Sequence, residues 1–454
     1  MSKTINENNA GAFVYKSVRI TLEEGKNKGK TFEIGNIVFG FTYYEDITKP
    51  FLSANLNIND TGMNLIGSGT GPITGNELVE IDVMGPDNDE YNYSFRVYRV
   101  GDRINSGKVQ NYNLGLISGE ALEDPKTRIR KALTGRPDQI VEQVLGKDGL
   151  NTSKDIMVDP CLNQKKILPR NLTPFAICAK LQDQSIPSGK SGAGSGEGAE
   201  TKNGKYSNGT AGFFFYETVK GYNFRSIDGL MDIEGTMGAN NQGANFVKTF
   251  RDSVGEETDT TLIDVQFTSE INLMHGLRTG AYALRCQYYD FSTGEYDEST
   301  YSVKNSWKNQ AHLGSQDNLT SGQSSLASAP TRIVSAILDD ESYYSGQDSA
   351  KGSTYRDHTK STLPQSISRN YLLNTQGLRV IVPGNLQLVV GDLVRVYLQN
   401  MSTQEDKKIE SVDQEHSGFY LVTSLSRFYN TVDRRVTTML SLKRDSYGLL
   451  DIET

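Results

Sequence analysis

Four histidines, three cysteines and two runs of acids are the residues of this chain that could amount to a chemical site. His275, His312, His358 and His416 are far apart in sequence. None lies within about five residues of another or of Cys161, Cys178 or Cys286, so no compact zinc spacing forms, and surface or capping duty is the reading for each. Ser188-Gly189-Lys190-Ser191 resembles the tail of a phosphate-binding loop. The leading glycine is missing, because position 184 is Gln184, and no apolar strand precedes it. Gly192-Ala193-Gly194-Ser195-Gly196 lacks the strand-to-helix setting that a dinucleotide loop requires. Neither a Gly-x-Ser-x-Gly elbow nor a His-Glu-x-x-His helix occurs. The acids Glu45-Asp46 and Asp339-Asp340-Glu341 are adjacent, and neighbours on a strand point to opposite faces. They do not supply the two convergent carboxylates of a glycosidase and read as solvated turn charges. Phe213 through Tyr216, with Tyr222 and Phe224, could stack bases or sugars. Only Lys220 and Arg225 flank them, so a strand buried on both faces is the better reading. The expectation is no catalytic residue, no cofactor site and no metal ligand.

The elements that would position any such residues are mostly strands. Val18, Ile20 and Leu22 alternate, as do Ile37, Phe39 and Phe41. Leu52, Ala54, Leu56 and Ile58 face away from Asn55, Asn57 and Asn59. Val79, Ile81 and Val83, then Tyr93, Phe95 and Val97, then Tyr112, Leu114 and Leu116 repeat the period. Alternation of this kind, broken by Gly, Asn, Asp and Pro turns, predicts a barrel. The pattern changes near Asp124. Pro137 suits the first turn of a helix carrying Ile140, Val141, Val144 and Leu145, and Thr173-Pro174 opens a second with Phe175, Cys178 and Leu181. Leu262, Val265 and Phe267 predict a strand, and Ile271, Met274, Leu277, Ala281 and Leu284 one face of a helix. Leu378, Val380 and Val382, then Val394, Val396 and Leu398, then Phe419, Leu421 and Thr423, then Val436, Thr438, Leu440 and Leu442 form a second β set.

The fold class is therefore mainly β (α+β). A first β-barrel is expected over 1–123 and a small mixed α/β domain over 124–232, with a Gly/Ser-rich loop at 187–212. A second β-barrel is expected over 233–454, interrupted by a helix at 270–288 and a polar insertion at 305–365 where Ile333, Val334, Ile337 and Leu338 pack locally. No repeat is visible residue by residue, but two separate β sets are.

At 454 residues the chain exceeds what one core normally supports. Its formal net charge of −8 argues against a protein that grips phosphate backbones. The odd, wide cysteine spacing suits synthesis in a reducing cytoplasm. The first residues contain no apolar segment of a signal peptide, and no run approaches the roughly 20 apolar residues of a membrane span.

Several stretches together resemble one family. Tyr44-Glu45-Asp46-Ile47-Thr48-Lys49-Pro50-Phe51-Leu52 looks like its first-barrel strand and turn, and Pro72-Ile73-Thr74-Gly75-Asn76-Glu77 like the next turn. Phe215-Tyr216-Glu217 and Gly221-Tyr222-Asn223-Phe224-Arg225-Ser226-Ile227 are similar to the close of its middle domain. Val382-Pro383-Gly384-Asn385 and Val390-Gly391-Asp392-Leu393-Val394 resemble its second barrel. The family is the baseplate central hub proteins of contractile-tailed, T-even-type phages. The resemblance implies a homotrimeric ring in the virion tail baseplate, assembled in the host cytoplasm. Each copy would bring two tail-tube-like barrels, so three copies adapt a sixfold tail tube, or its initiator protein, to a threefold central spike. Other baseplate proteins would surround it. DNA would pass through its channel without specific binding, along a wall that is acidic or neutral. A tail-tip enzyme that degrades cell wall and a carbohydrate-binding adhesin are the rival classes. The segments 187–212 and 305–365 look longer than the family pattern.

Overall fold

A computed structural model describes residues 11–66, 72–86, 89–162, 164–188, 211–233, 247–252, 258–270, 272–290, 294–307, 310–315, 329–338, 355–400 and 412–450. Asp339-Asp340-Glu341, the two glycine-rich motifs and most of 187–212 lie outside them.

The first strand set comprises β1 (Val14–Thr21), β2 (Thr31–Glu33), β3 (Val38–Asp46), β4 (Ser53–Asp60), β5 (Leu78–Met84), β6 (Glu90–Ser106) and β7 (Val109–Ile117). Its order in space is β3-β4-β7-β6-β5-β1-β2. The alternating apolar residues are the buried ones: Leu52, Ala54, Leu56 and Ile58, Val79, Ile81 and Val83, Tyr93, Phe95 and Val97 all face one side. The set is curled. β3 and β6 are three places apart, which in a flat sheet is roughly 14 Å. Yet the rings of Phe41 and Tyr93 have centroids 5.6 Å apart, and those of Tyr43 and Tyr93 4.9 Å.

A small mixed α/β unit follows. β8 (Leu133–Gly135) pairs with β10 (Lys165–Ile167), and β9 (Ile156–Val158) lies beside the hairpin of β11 (Phe213–Thr218) and β12 (Gly221–Ser226). The helices Pro137–Leu145 and Pro174–Gln182 cover them. The first places Pro137 in its first turn, and the second is capped by Thr173 Oγ1, which accepts from the Ala176 N–H at 3.3 Å. Every residue of β11 and β12 is buried, as a strand covered on both faces requires. Their core is separate from that of the large sheet and takes in Cys161 and Cys178, both free.

The second set comprises β13 (Val247–Arg251), β14 (Asp264–Ser269), β18 (Gln376–Pro383), β19 (Leu393–Tyr397), β20 (Gly418–Asn430) and β21 (Arg435–Arg444). Its pairing is β14-β18-β21-β20, with β19 on β20 and β13 on β19. Set against β3-β4-β7-β6-β5-β1, this is the same connectivity in the same chain order. It departs only in the extra β2 and in β13, which runs parallel to β19 where β1 runs antiparallel to β5. The chain thus carries a duplication that no residue-level repeat betrays. The two sets do not stand apart. β20 pairs antiparallel with β3 from Ser424↔Asp46 to Asn430↔Gly40, making one 13-stranded sheet over one hydrophobic core.

The insertion occupies the β14–β18 connection, the counterpart of the short β3–β4 turn. It is longer than the polar insertion at 305–365 that the sequence suggested. β15 (Ala283–Asp290) lies between β16 (Tyr296–Ser302) and β17 (Arg332–Leu338), and the helix Tyr355–Leu372 packs on one face of this sheet. The helix expected at 270–288 is corrected: it spans only Leu273–Thr279 and stops at Gly280, which takes φ +74°, so Ala281 falls outside it and Leu284 belongs to β15. Left-handed geometry at a helix end turns the chain out of its spiral, which periodicity alone does not register. Within 305–365, Val334 packs locally, while Ile333 and Ile337 face outward. Phe39 is a second correction. It does not share the face of Phe41 but is 59% exposed, because the β3–β4 register shifts between Val38 and Gly40. A bulge there reverses the alternation.

Candidate functional site

Three elements meet at the β3–β20 seam, and a buried carboxylate fastens them. Glu45 was expected to be a solvated turn charge, and the structure corrects this: it is buried, at 2% exposure. Its Oε1 accepts from the Tyr43 hydroxyl at 2.5 Å and the Val219 N–H at 3.0 Å, and its Oε2 accepts from the Val390 N–H at 2.8 Å. One side chain thereby joins β3, the turn after β11 and the loop before β19. Pairing on the seam turns it inward while Asp46 stays at the sheet margin, where it accepts from the Thr48 N–H. Opposite, Arg427 is fully buried, with its guanidinium 5.5 Å from the centre of the Tyr43 ring and a hydrogen bond to the Leu388 carbonyl. Burial alone would lower its pKa, but Tyr93, Tyr429 and Glu45 outweigh that and hold it raised.

Two further clusters tie the other parts to this seam. Glu217, on β11, accepts from the Leu52 N–H at 3.1 Å, the Ser118 hydroxyl at 2.7 Å and Lys154 Nζ at 2.6 Å. Burial pushes its carboxyl pKa up. Arg369, on the insertion helix, donates to Asp228 at 2.8 Å and to Asp445 at 3.0 Å. Asp445 also meets His312 Nδ1 at 2.6 Å, while His312 Nε2 lies 2.9 Å from the Trp307 carbonyl and its ring stacks on the indole at 3.6 Å. Surface or capping duty was expected of His312; it is instead mostly buried. Burial raises the Asp445 pKa, but His312 and Arg369 outweigh it and hold the carboxyl well below its usual range. His275 is exposed, and His416 Nδ1 lies 2.7 Å from Asp413 Oδ2 in the turn before β20. His358 lies in the helix Tyr355–Leu372. Among the described residues no group of three or more His, Cys, Asp or Glu could hold a metal ion.

The other face of the seam is the surface the chain offers. Registers place Tyr44 between Ser53 and Ser426, with Met439 beyond; Thr42 lies between Asn55 and Phe428, with Thr437 beyond; and Asn57 pairs with Asn113. Ser424 and Ser441 continue the surface. From β7 to β21 this patch is built of Ser, Thr, Asn and a few apolar side chains. Charges stand at its margins, in Asp46, Arg379, Lys443 and Arg435. The same face of the same sheet is ionic away from the seam: Arg19 meets Asp82 at 2.9 Å, and Lys16 pairs with Glu90. Sequence reading identified Asn55 and Asn57 but not that β20 and β21, hundreds of residues away, continue their face beyond β3. The available signal was the run of Ser, Thr and Asn on the polar face of those strands, with charge only toward their ends.

No protein-family model matches the chain, and no curated protein matches it by sequence. Solved structures do. A tail protein from Neisseria meningitidis MC58 superposes with a TM-score of 0.51 at 10% identity, covering 96% of this chain and 97% of that one. The 43 kDa tail protein of prophage MuSo2 from Shewanella oneidensis gives 0.48 at 9% identity, covering 95% and 99%. The first comparison shows a shared fold over essentially the whole of both chains.

Proposed function

We propose that this chain is a structural protein of a phage tail baseplate, in which three copies form a hub that adapts a sixfold tube to a threefold spike. The observation that carries this reading is the duplicated connectivity. A chain with two equivalent strand sets on one seam lets threefold association present six similar units, which a single set could not do. The shared fold with a tail protein supports it. The uncharged patch spanning the seam becomes the channel wall. DNA binding draws on counterion release by Lys and Arg, so a wall of Ser, Thr and Asn lets a duplex pass without retention. The spike protein lies on one side and the tube or its initiator on the other, within the virion, and the chain performs no catalysis.

The test is the mass of the purified chain, alone and mixed with its spike protein, by light scattering. A trimer alone, or one that forms on adding spike, is expected. A stable monomer that ignores the spike overturns the reading. A zymogram on peptidoglycan should stay blank.

A further inference from the structure

The cluster around Glu217 holds more than an ion pair requires. Lys154, in the segment before β9, places its Nζ 2.6 Å from Glu217 Oε1 and 2.5 Å from Glu120 Oε2. Its backbone N–H donates to Thr152 Oγ1 at 3.2 Å, and that hydroxyl donates on to Glu120 Oε1 at 2.8 Å, which fixes base and amine together. The ammonium stands over Tyr222, 5.7 Å from the ring centre. Glu217 is fully buried, and its two oxygens have different surroundings. Oε1 faces the lysine, while Oε2 accepts from the Leu52 N–H at 3.1 Å and the Ser118 hydroxyl at 2.7 Å. A carboxyl C–O bond is about 1.2 Å long, so Glu217 Cδ stands at most about 3.8 Å from Nζ. Two reacting atoms poised for attack are about 3–3.5 Å apart, so little movement separates the pair from that geometry.

We propose that Lys154 and Glu217 condense into a side-chain amide, an internal crosslink that needs no second protein and no cofactor, with Glu120 carrying the proton. A proton first passes from Nζ to Oε1, leaving an amine and a carboxylic acid. Nζ then attacks Cδ, and the carbonyl electron pair moves onto Oε2, where the Leu52 N–H and the Ser118 hydroxyl already point at the developing charge. Glu120 takes one of the two protons left on nitrogen and delivers it to the Oε1 hydroxyl, which departs as water while Oε2 re-forms its double bond. One C–N bond forms, one C–O bond breaks, one water leaves, and Glu120 is restored. The ionic pair is the resting state. Burial would lower the Lys154 pKa, but Glu217 and Glu120 outweigh it and hold it raised, while burial pushes the Glu217 pKa up. The neutral pair is therefore a minor state, and the bond forms slowly, once per chain, after folding. Removal of a buried charge drives it, with an effective concentration of roughly 10⁵–10⁸ M supplied by the fold. The crosslink ties β11 to the segment before β9. It does not depend on the hub reading.

The experiment is the intact mass of the purified full-length chain, measured when fresh and after prolonged incubation at neutral pH. The parent should become lighter by one water. Trypsin should then release a branched peptide joining the Lys154 and Glu217 segments, with no cleavage after Lys154. Lys154→Arg keeps a cation between the two acids but presents a guanidinium that does not lose its proton, and it should hold its full mass. Glu120→Gln keeps a hydrogen-bonding side chain without the base, and should slow the mass loss at least about 100-fold. Far-ultraviolet circular dichroism checks that each variant folds. A folded parent that holds its full mass after incubation overturns the crosslink. A Glu120→Gln chain that condenses as fast as the parent overturns the assigned role of Glu120. Neither result touches the hub reading, which light scattering tests separately.

Discussion

Glu45 carries more of the architecture than any other residue at the seam, because its two oxygens satisfy groups from three separate segments. Removing it leaves two backbone donors and a tyrosine hydroxyl buried without an acceptor, and Arg427 without its nearby negative charge. Glu45→Ala should therefore destabilise the fold by about 3 kcal/mol, and Glu45→Gln by less, measured as the shift in urea midpoint at constant slope. Asp445 sets a pH dependence. Its folded pKa lies below its unfolded value, so its stabilisation is complete above the ordinary aspartate pKa of about 3.9 and is lost as pH falls below it. Urea midpoints from pH 6 downward should fall steeply below about pH 4, and Asp445→Asn should start lower and flatten that decline. A variant whose acid profile matches the parent would refute the assignment.

At the level of single elements, local chemistry and tertiary contacts divide the work. The helix Pro174–Gln182 starts where Thr173 can cap it, and Thr173→Ala should cost about 1 kcal/mol, read as a lower melting temperature. The β6–β7 pair depends on a missing side chain. Gly115→Val would push its Cβ into Tyr98 and should cost about 1–3 kcal/mol by the same measurement. The strand alternation was legible because one face of each strand is buried, which fixes residue choice at every second position. Phe39 escaped because a bulge is a property of the β3–β4 pair and leaves no mark in β3 alone. The helix Leu273–Thr279 was overextended because Ala281 and Leu284 continue its spacing by coincidence after Gly280 has ended it.

For the whole molecule the decisive feature is the pairing of two equivalent strand sets into one sheet. If the seam face is a channel wall, the assembled protein should bind a short duplex no more tightly than about 10⁻⁴ M, even at low salt, by fluorescence anisotropy. Placing lysines on that face, as Asn55→Lys/Asn57→Lys/Ser426→Lys, should create binding that weakens with salt, with a log–log slope of about −0.9 for each phosphate neutralised. Binding by the parent chain at micromolar concentration would contradict the neutral-wall mechanism.

The sequence by itself determined most strands of the two sets, the helices Pro137–Leu145 and Pro174–Gln182, the mainly β class and the division into two β sets around a mixed segment. Each of these follows from short-range patterning: burial of every second side chain, or a cap within one turn. Only the tertiary structure decided that the sets share one connectivity, that β20 pairs with β3, and that Glu45 is buried and His312 mostly buried where turn or surface duty was expected. These depend on which distant strand lies alongside. Backbone hydrogen bonding makes that choice with no side-chain signature of its own, so the duplication could be preserved in pairing while the residues diverged.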